Sequence, residues 1–244
     1  IQPGLELISL DPKRSSSIVG VEAFANEKNM RDAARRIAAD IGSANQNGCV
    51  NARVIYCMSG TDDAGVERLK KLGQYTYDAL MNLPVTVSTR PKGGIKGELA
   101  DHLETLLLDD EFYEVNGGQD NEGAIVVSKL PTPVEFAELL NDRVGNLVPV
   151  DDLDSIIKNF DAYTQSVGIY PDSLLLELRD RIPLYGVQRI VSLGYTGNGG
   201  INFAQPQDSV EIFRRMLKWI VNEEVPPNIQ PLWEAGDSAE LASG

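Results

Sequence analysis

The chain of 244 residues carries 22 lysines and arginines against 36 aspartates and glutamates, a formal charge of −14, and a field of that sign repels phosphate backbones and anionic lipid surfaces. Nucleic acid is therefore not expected as a partner, and any cofactor contact has to rest on local donors or a local basic patch. A hydrophobic fraction of 42% and a charged fraction of 24% exclude disorder and a coiled coil, and a chain of this size buries roughly 70 to 75% of its unfolded surface, enough for a substantial core.

No run approaches the roughly 20 apolar residues that span a bilayer, and the N-terminus lacks the basic and apolar segments of a signal peptide, so a cytoplasmic protein is expected. The chain opens on Ile1-Gln2-Pro3-Gly4 rather than Met, as expected for a segment of a longer protein. Cys49 and Cys57 are too few for a disulfide framework and match no zinc spacing, so both are read as free thiols and no metal site is expected.

In chain order, Glu6 to Leu10 and Ser16 to Val21 read as short strands around the turn-forming Asp11-Pro12-Lys13-Arg14. Met30, Ala33, Ala34, Ile37, Ala38 and Ile41 fall on one helical face, and Gly42 is placed to supply a left-handed stop. A polar connection from Ser43 to Cys49 leads into Arg53 to Cys57, a buried strand. Asp62 or Asp63 can cap the next helix, with Val66, Leu69, Leu72, Leu80 and Leu83 inside and Pro84 as its stop.

The alternation continues with a strand at Val85 to Ser88, a helix at Glu98 to Leu107, a strand at Gly123 to Ser128 and a helix at Thr132 to Leu140. It runs on through strands at Asn146 to Val150 and Tyr163 to Tyr170, each followed by a helix, at Leu153 to Phe160 and Pro171 to Arg181, and a strand at Val187 to Leu193. Asp109 to Glu122 is read as a long acidic loop. Asp208 opens a final helix with Val210, Phe213, Met216, Leu217 and Ile220 inside, and the tail from 225 to 244 is expected to be loosely held. Such alternation predicts an α/β fold built on a parallel sheet.

Cys49 is the candidate for chemistry because a thiolate attacks carbonyl carbon and the thioester so formed stays reactive. A loop entering a buried strand can present one sulfur to a cleft, with its own backbone N–H nearby for an oxyanion. The ordinary account of an isolated cysteine is structural, and Cys57, inside an apolar strand, is read as an inert buried thiol. His102 is the only histidine, which excludes sites needing two, and within its helix it is assigned to the surface rather than to catalysis. The glycine cluster from Gly194 to Gly200 lacks a P-loop lysine or a dinucleotide fingerprint and is read as a loop.

Leu10-Asp11-Pro12-Lys13-Arg14-Ser15, Asn45-Gln46-Asn47-Gly48-Cys49, Asn146 to Val150 and Gly186 to Gly194, with Gln205-Pro206-Gln207-Asp208, Arg214-Arg215-Met216 and Trp219, together resemble the acyl-CoA reductase (LuxC) family of bacterial bioluminescence, a branch of the aldehyde dehydrogenase superfamily. The resemblance implies a catalytic segment of aldehyde dehydrogenase type over residues 1–224, with a returning helix at 208–223 and the nucleotide-binding domain largely absent. It implies Cys49 as nucleophile, Asn45 and Gln46 as oxyanion or loop support, NADPH as hydride donor, and an acyl-CoA or an acyl-carrier or synthetase protein as partner, with self-association expected. It also sets Asp142-Arg143 near the carboxylate that holds a nicotinamide ribose, with a helix-end ion pair as the plain alternative. Where hydrolytic relatives carry a glutamate base, this chain reads Ser9-Leu10-Asp11-Pro12-Lys13, which suits reduction over aldehyde oxidation. Asp11 and Glu22 are the carboxylates that could move a proton, each ordinarily a turn or surface group. A non-redox acyl-carrying or docking subunit is the rival reading.

Overall fold

The computed structural model describes residues 12–89, 91, 94–197, 216, 217 and 220–229. Its elements run β1 (Arg14–Val19), α1 (Glu27–Gly42), β2 (Ala52–Cys57), α2 (Asp63–Met81), α3 (Glu98–Leu108), β3 (Tyr113–Gly117), β4 (Ala124–Ser128), β5 (Val144–Pro149), α4 (Leu153–Ile157), β6 (Thr164–Tyr170), α5 (Ser173–Leu178) and β7 (Arg189–Ser192). The strands form one seven-stranded sheet in the order β3-β4-β5-β2-β1-β6-β7. Every neighbouring pair is parallel except the antiparallel pair β3 and β4.

Alternation along the strands separates two cores. Val54 and Tyr56 of β2, with Ala124 and Val126 of β4, face a layer that holds Leu99, Leu103 and Leu106 of α3, Ile156 and Ile157 of α4 and Leu178 of α5. Ile55 and Cys57, with Ile125 and Val127, face Ile37 and Ile41 of α1 and Leu69, Leu72 and Leu80 of α2. The sheet is thus covered on both sides, which is why β4 and β5 are buried along their whole length. All six apolar residues predicted for the inner face of α1 are buried. Asn26 caps that helix by accepting a hydrogen bond from the Asn29 N–H, and Asp62 caps α2 from the Gly65 N–H.

Several elements depart from the sequence reading. The predicted strand at 85–88 is a turn in which the Val87 and Ser88 N–H groups donate to Pro84 O at 2.8 and 3.0 Å, leaving Val85 80% exposed. Two valines and a threonine carry the β propensity there, but among the described residues no strand pairs with them. The acidic stretch from Asp109 to Glu122 contains β3, whose Tyr113 and Val115 pack on the core while Glu114 is half-buried beside Lys70. The helix predicted over 132–140 shrinks to a 3-10 turn at Ala137–Leu139. Pro131 and Pro133 remove donors, and the Val134 N–H goes to Asn146 Oδ1 instead of to a helix ladder.

The first strand begins at Arg14 and ends at Val19, so Val21 lies in a 3-10 turn and is exposed. The helices expected after β5 and β6 are shorter than predicted, and α5 gives way to a 3-10 turn at Ile182–Tyr185. Met216, Leu217 and Ile220, predicted inside a final helix, are 60, 71 and 87% exposed. The strand expected at Glu6 to Leu10 and most of the final helix lie outside the described residues. Among the described residues no helix is long and apolar enough to cross a membrane.

Replacing Asp62 removes the oxygen that satisfies the first turn of α2. Asp62→Ala is expected to lower the unfolding free energy by about 1 kcal/mol in a urea titration followed by circular dichroism, with no change in the slope.

Candidate functional site at the amino edge of the sheet

Cys49 lies in the connection from α1 to β2, at the edge where the parallel strands begin. The helix does not end on a left-handed glycine: Gly42 is right-handed at φ −81°. The reversal is instead made by Ala44, Asn45 and Gln46, at φ 51, 54 and 61°. Non-glycine residues in that region cost roughly 1 to 2 kcal/mol each, so three in succession require strong tethers.

The tethers are polar and largely buried. The Ala44 N–H donates to Val87 O at 3.0 Å. Asn45 Oδ1 accepts from the Thr89 N–H at 2.8 Å and from the Ser88 hydroxyl, and its Nδ2 donates to Thr89 Oγ1. Gln46 is fully buried; its Nε2 donates to Ala52 O at 2.9 Å and Val144 O at 2.8 Å, and its Oε1 accepts from the Val144 N–H at 2.9 Å. Both amide hydrogens of Gln46 are therefore spent on β2 and β5, and this side chain supports the loop rather than an oxyanion.

Asn51 closes the turn around the cysteine. Its Oδ1 accepts from the Gly48 N–H at 3.1 Å, and its Nδ2 faces Asp40 O, Ser43 O and Ser43 Oγ at 2.9 to 3.0 Å. The Ser15 hydroxyl donates to Cys49 O at 2.8 Å while accepting from the Ser166 N–H, so the cysteine backbone is pinned to β1 and β6. Cys49 itself is half-buried and its thiol is free. Among the described residues, none accepts a hydrogen bond from the Cys49 N–H. Cys57 is fully buried, and burial pushes its thiol pKa up, which keeps it protonated and inert at neutral pH.

Cations gather beside this loop. A cavity of about 410 Å³ is lined by Pro12, Lys13, Arg14, Arg53, Glu138 and Tyr163. Arg53 Nε donates to Leu140 O at 2.8 Å, whereas its Nη1 is buried with no hydrogen-bond partner. Burial lowers the Arg53 pKa, with neighbouring Arg14 acting in the same direction and nearby Cys49 in the opposite one. Arg14 pairs with the exposed Glu138, and Lys13 Nζ donates to Ala162 O. Sequence reasoning took Lys13 and Arg14 as turn charges and missed Arg53, whose signal was an arginine opening an otherwise apolar strand.

A second missed element is Asp40, a carboxylate on the apolar face of α1. It is fully buried, accepts from the Thr196 N–H at 2.8 Å and faces the Ser17 hydroxyl at 3.3 Å. Burial raises its pKa to about 6, against hydrogen bonds from the Gly194 and Thr196 backbone and from Ser17. Arg189 holds the same loop by donating to Tyr195 O and Thr196 O. The packing leaves no room for side chains: a Cβ at Gly168 would lie 2.6 Å from Asp40 Oδ2, and one at Gly197 2.0 Å from Ser43 Oγ. Gly194 to Gly197 is therefore a fitted turn against the cysteine loop, and residues 198–200 lie outside the described residues.

The remaining predicted residues stay apart from this cluster. Arg143 is 3% exposed, left-handed at φ 69°, and donates through Nη2 to Leu80 O at the end of α2. Asp142, at φ 53°, is half-buried in the turn before β5. Glu22 follows the far end of β1, about 20 Å from the cysteine edge at the rise of a strand, so it does not serve Cys49. Asp11 lies outside the described residues. His102 stacks on Phe136 with centroids 4.3 Å apart and sits 3.6 Å from Glu98, on the outer side of α3. Among the described residues no cluster of histidine, cysteine and carboxylate suits a metal ion.

Comparison with known proteins gives the following. The family described as acyl-CoA reductase (LuxC) matches residues 2–219. A long-chain acyl-protein thioester reductase of Aliivibrio fischeri is 26% identical over 227 residues, which is 91% of this chain and 43% of that protein. The chain thus spans less than half the length of that curated relative. Among solved structures, methylmalonate-semialdehyde dehydrogenase from Oceanimonas doudoroffii aligns with 76% of this chain and 40% of its own, at 15% identity and a TM-score of 0.49. NADP-dependent glyceraldehyde-3-phosphate dehydrogenase from Bacillus halodurans, complexed with NADP, aligns with 73% and 38%, at 13% identity and 0.48.

Two outcomes are expected from this geometry. Gln46→Leu removes the side-chain partner of two carbonyls and leaves the Val144 N–H only Asn141 O, and should lower stability by about 2 to 4 kcal/mol in urea while speeding alkylation of Cys49 by iodoacetamide. For Asp40 the folded pKa of about 6 exceeds the unfolded 3.8, so its contribution is intact below the unfolded value and is lost as pH rises through the folded one. The stability of the wild type relative to Asp40→Asn should fall by about 3 kcal/mol between pH 3.5 and 7, and a difference that is flat with pH would contradict this.

Proposed function

The chain belongs to the acyl-CoA reductase (LuxC) family, and from that membership we propose that Cys49 accepts an acyl group from an acyl-CoA or acyl-protein thioester. The observation that carries the reading is the loop itself. Its tethers hold one half-buried sulfur at the opening of the sheet, where the other cysteine is sealed in the core. In the step, the Cys49 thiolate attacks the carbonyl carbon of the donor thioester. A new carbon–sulfur bond forms, the negative charge passes to the carbonyl oxygen, and collapse breaks the old carbon–sulfur bond and expels the donor thiolate. The Cys49 N–H, uncommitted among the described residues, is the donor nearest at hand for that oxyanion.

Reduction to an aldehyde by NADPH is what the family implies for the whole protein, since NADPH supplies the hydride. Of the residues expected to hold it, Arg143 is buried and donates to Leu80 O, and Asp142 is half-buried in the turn before β5. A second reading is an acyl-carrying subunit that passes its acyl group on without redox chemistry.

Incubation with radiolabelled long-chain acyl-CoA should give protein-bound label that neutral hydroxylamine releases, retained in Cys57→Ala and absent in Cys49→Ala. Equal labelling of Cys49→Ala would falsify the assignment. Adding NADPH to the labelled protein separates the two readings, because labelled aldehyde appears only if the chain reduces its own thioester.

A further inference from the structure

The last turn of α1 is built into two loops at once. Asp40 O accepts from Asn51 Nδ2 at 3.0 Å, and Asn51 Oδ1 takes the Gly48 N–H at 3.1 Å, so the helix end reaches the turn that carries Cys49 through one side chain. On its other side the Asp40 carboxylate accepts from the Thr196 N–H at 2.8 Å and faces the Ser17 hydroxyl at 3.3 Å. Both contacts are dry, since Asp40 and Ser17 are fully buried and Asn51 and Thr196 are 1% exposed. A third tie joins the loops directly, where Gly197 packs on Ser43 Oγ and Asn51 Nδ2 with no room for a Cβ.

A carboxyl group sealed in that place is costly whenever it is charged, because burial disfavours the ionised form. Around it β1 presents Ser17, β6 presents Gly168 and the turn after β7 presents Thr196, none of which titrates near neutrality. Arg189 of β7 is a cation whose field reaches Asp40, and its guanidinium is committed to Ser166 Oγ, Tyr195 O and Thr196 O. On α1 itself Arg36, one turn earlier, is directed to Asp32 and Leu193 O, while Tyr195 is exposed and Cys49 lies beyond Asn51. Thr196 Oγ1 is buried without a partner at bonding geometry, although its hydroxyl lies near enough to the carboxyl to bear on it. A protonated Asp40 offers a donor to that oxygen or to Ser17 Oγ, which a carboxylate cannot do.

We propose that Asp40 is a positioning residue for Cys49 and acts as a proton-controlled latch: protonated, it holds the turn after β7 and the cysteine loop together, and ionised, it lets both open. The inference takes its functional meaning from the acyl-cysteine reading above, on which it rests, and adds to it a control on how firmly the nucleophile's loop is held. Burial holds the Asp40 pKa at about 6 in the closed arrangement, against 3.8 for the ordinary carboxyl. An opening that wets the group is therefore hardest below pH 3.8, grows easier as pH rises between the two values and levels off above about 6. The opened fraction is the quantity that changes, because the solvated carboxyl gives up its proton more readily than the sealed one.

Amide hydrogen exchange of the full chain tests both ends of the latch. Protection factors, which remove the intrinsic pH dependence of exchange, are read at the Thr196 N–H, donor to the carboxylate, and at the Gly48 N–H, donor to Asn51. Both are expected to fall together by about 10-fold or more between about pH 4.5 and 7 in the wild type, and to stay level in Asp40→Asn, which keeps the shape and loses the charge. Ser17→Ala removes one donor from the carboxylate and should raise the pH at which the fall levels off by about half a unit or more, a shift that a purely structural role does not produce. The rate of Cys49 alkylation by iodoacetamide in the wild type, divided by that in Asp40→Asn, should rise over the same range. Protection level with pH in the wild type, an equal fall in Asp40→Asn, or a fall at Thr196 that Gly48 does not share overturns the proposal. Should Asp40→Asn fail to fold, an unmoved profile in Ser17→Ala overturns it instead. A shared fall at both amides beside a Cys49 that takes no acyl label upholds the latch and sinks the acyl-cysteine reading, so the two fail separately.

Discussion

The carboxamide of Gln46 is the contact on which the rest of the site depends. It sits fully buried at the end of a run of left-handed residues and saturates backbone groups of β2 and β5 at once. An unpaired amide in that position would be costly, and so would the carbonyls it covers. The strained reversal after α1 is held by these three buried bonds, and the reversal in turn delivers Cys49 to the edge where the strands begin. Asn51 and Ser15 then narrow the remaining freedom, one by bracing the turn against the end of α1 and the other by taking the Cys49 carbonyl.

Asp40 couples that loop to a second one. Its backbone carbonyl accepts from Asn51, and its carboxylate accepts from Thr196, so the last turn of α1 is shared between the cysteine connection and the turn that follows β7. Glycines at 168 and 197 make the approach close enough for these bonds to form. A carboxylate retained in such a dry place gives up stability at neutral pH in exchange for a fixed geometry, and Arg189, which holds the same loop, moderates the burden of its charge. The network is rigid in the direction that matters for an acyl acceptor: it fixes the backbone of Cys49 while leaving the sulfur half-exposed.

Electrostatics at this edge run against the molecule's overall charge. The global excess of carboxylates describes the solvated surface, whereas Lys13, Arg14 and Arg53 converge where β1 and β2 lie side by side, at a register shift that leaves Arg53 between the paired Ala52 and Val54. Net charge therefore speaks to solubility and to non-specific partners, and says little about a site some ten ångströms across, the range over which salt screens a charge.

The layered α/β fold was legible in the amino-acid order because periodicity is local. The apolar face of α1 and the buried runs of β2, β4 and β5 announce themselves within a few residues. Cys49 could be singled out for a similar reason, since a polar loop entering a buried strand is visible in one dimension and its neighbours match a family motif. Errors arose where a segment's fate depends on a distant partner. Residues 85–88 have strand-forming side chains and pair with no strand among those described, 113–117 have an acidic look and an open edge beside β4, and 132–140 lose their donors to proline and to Asn146. The roles of Gln46, Arg143, Asp40 and Arg53 belong to the same class. Whether a polar side chain faces a cleft, a carbonyl or another loop is decided by contacts between residues far apart in the chain, and only the folded sheet brings those together.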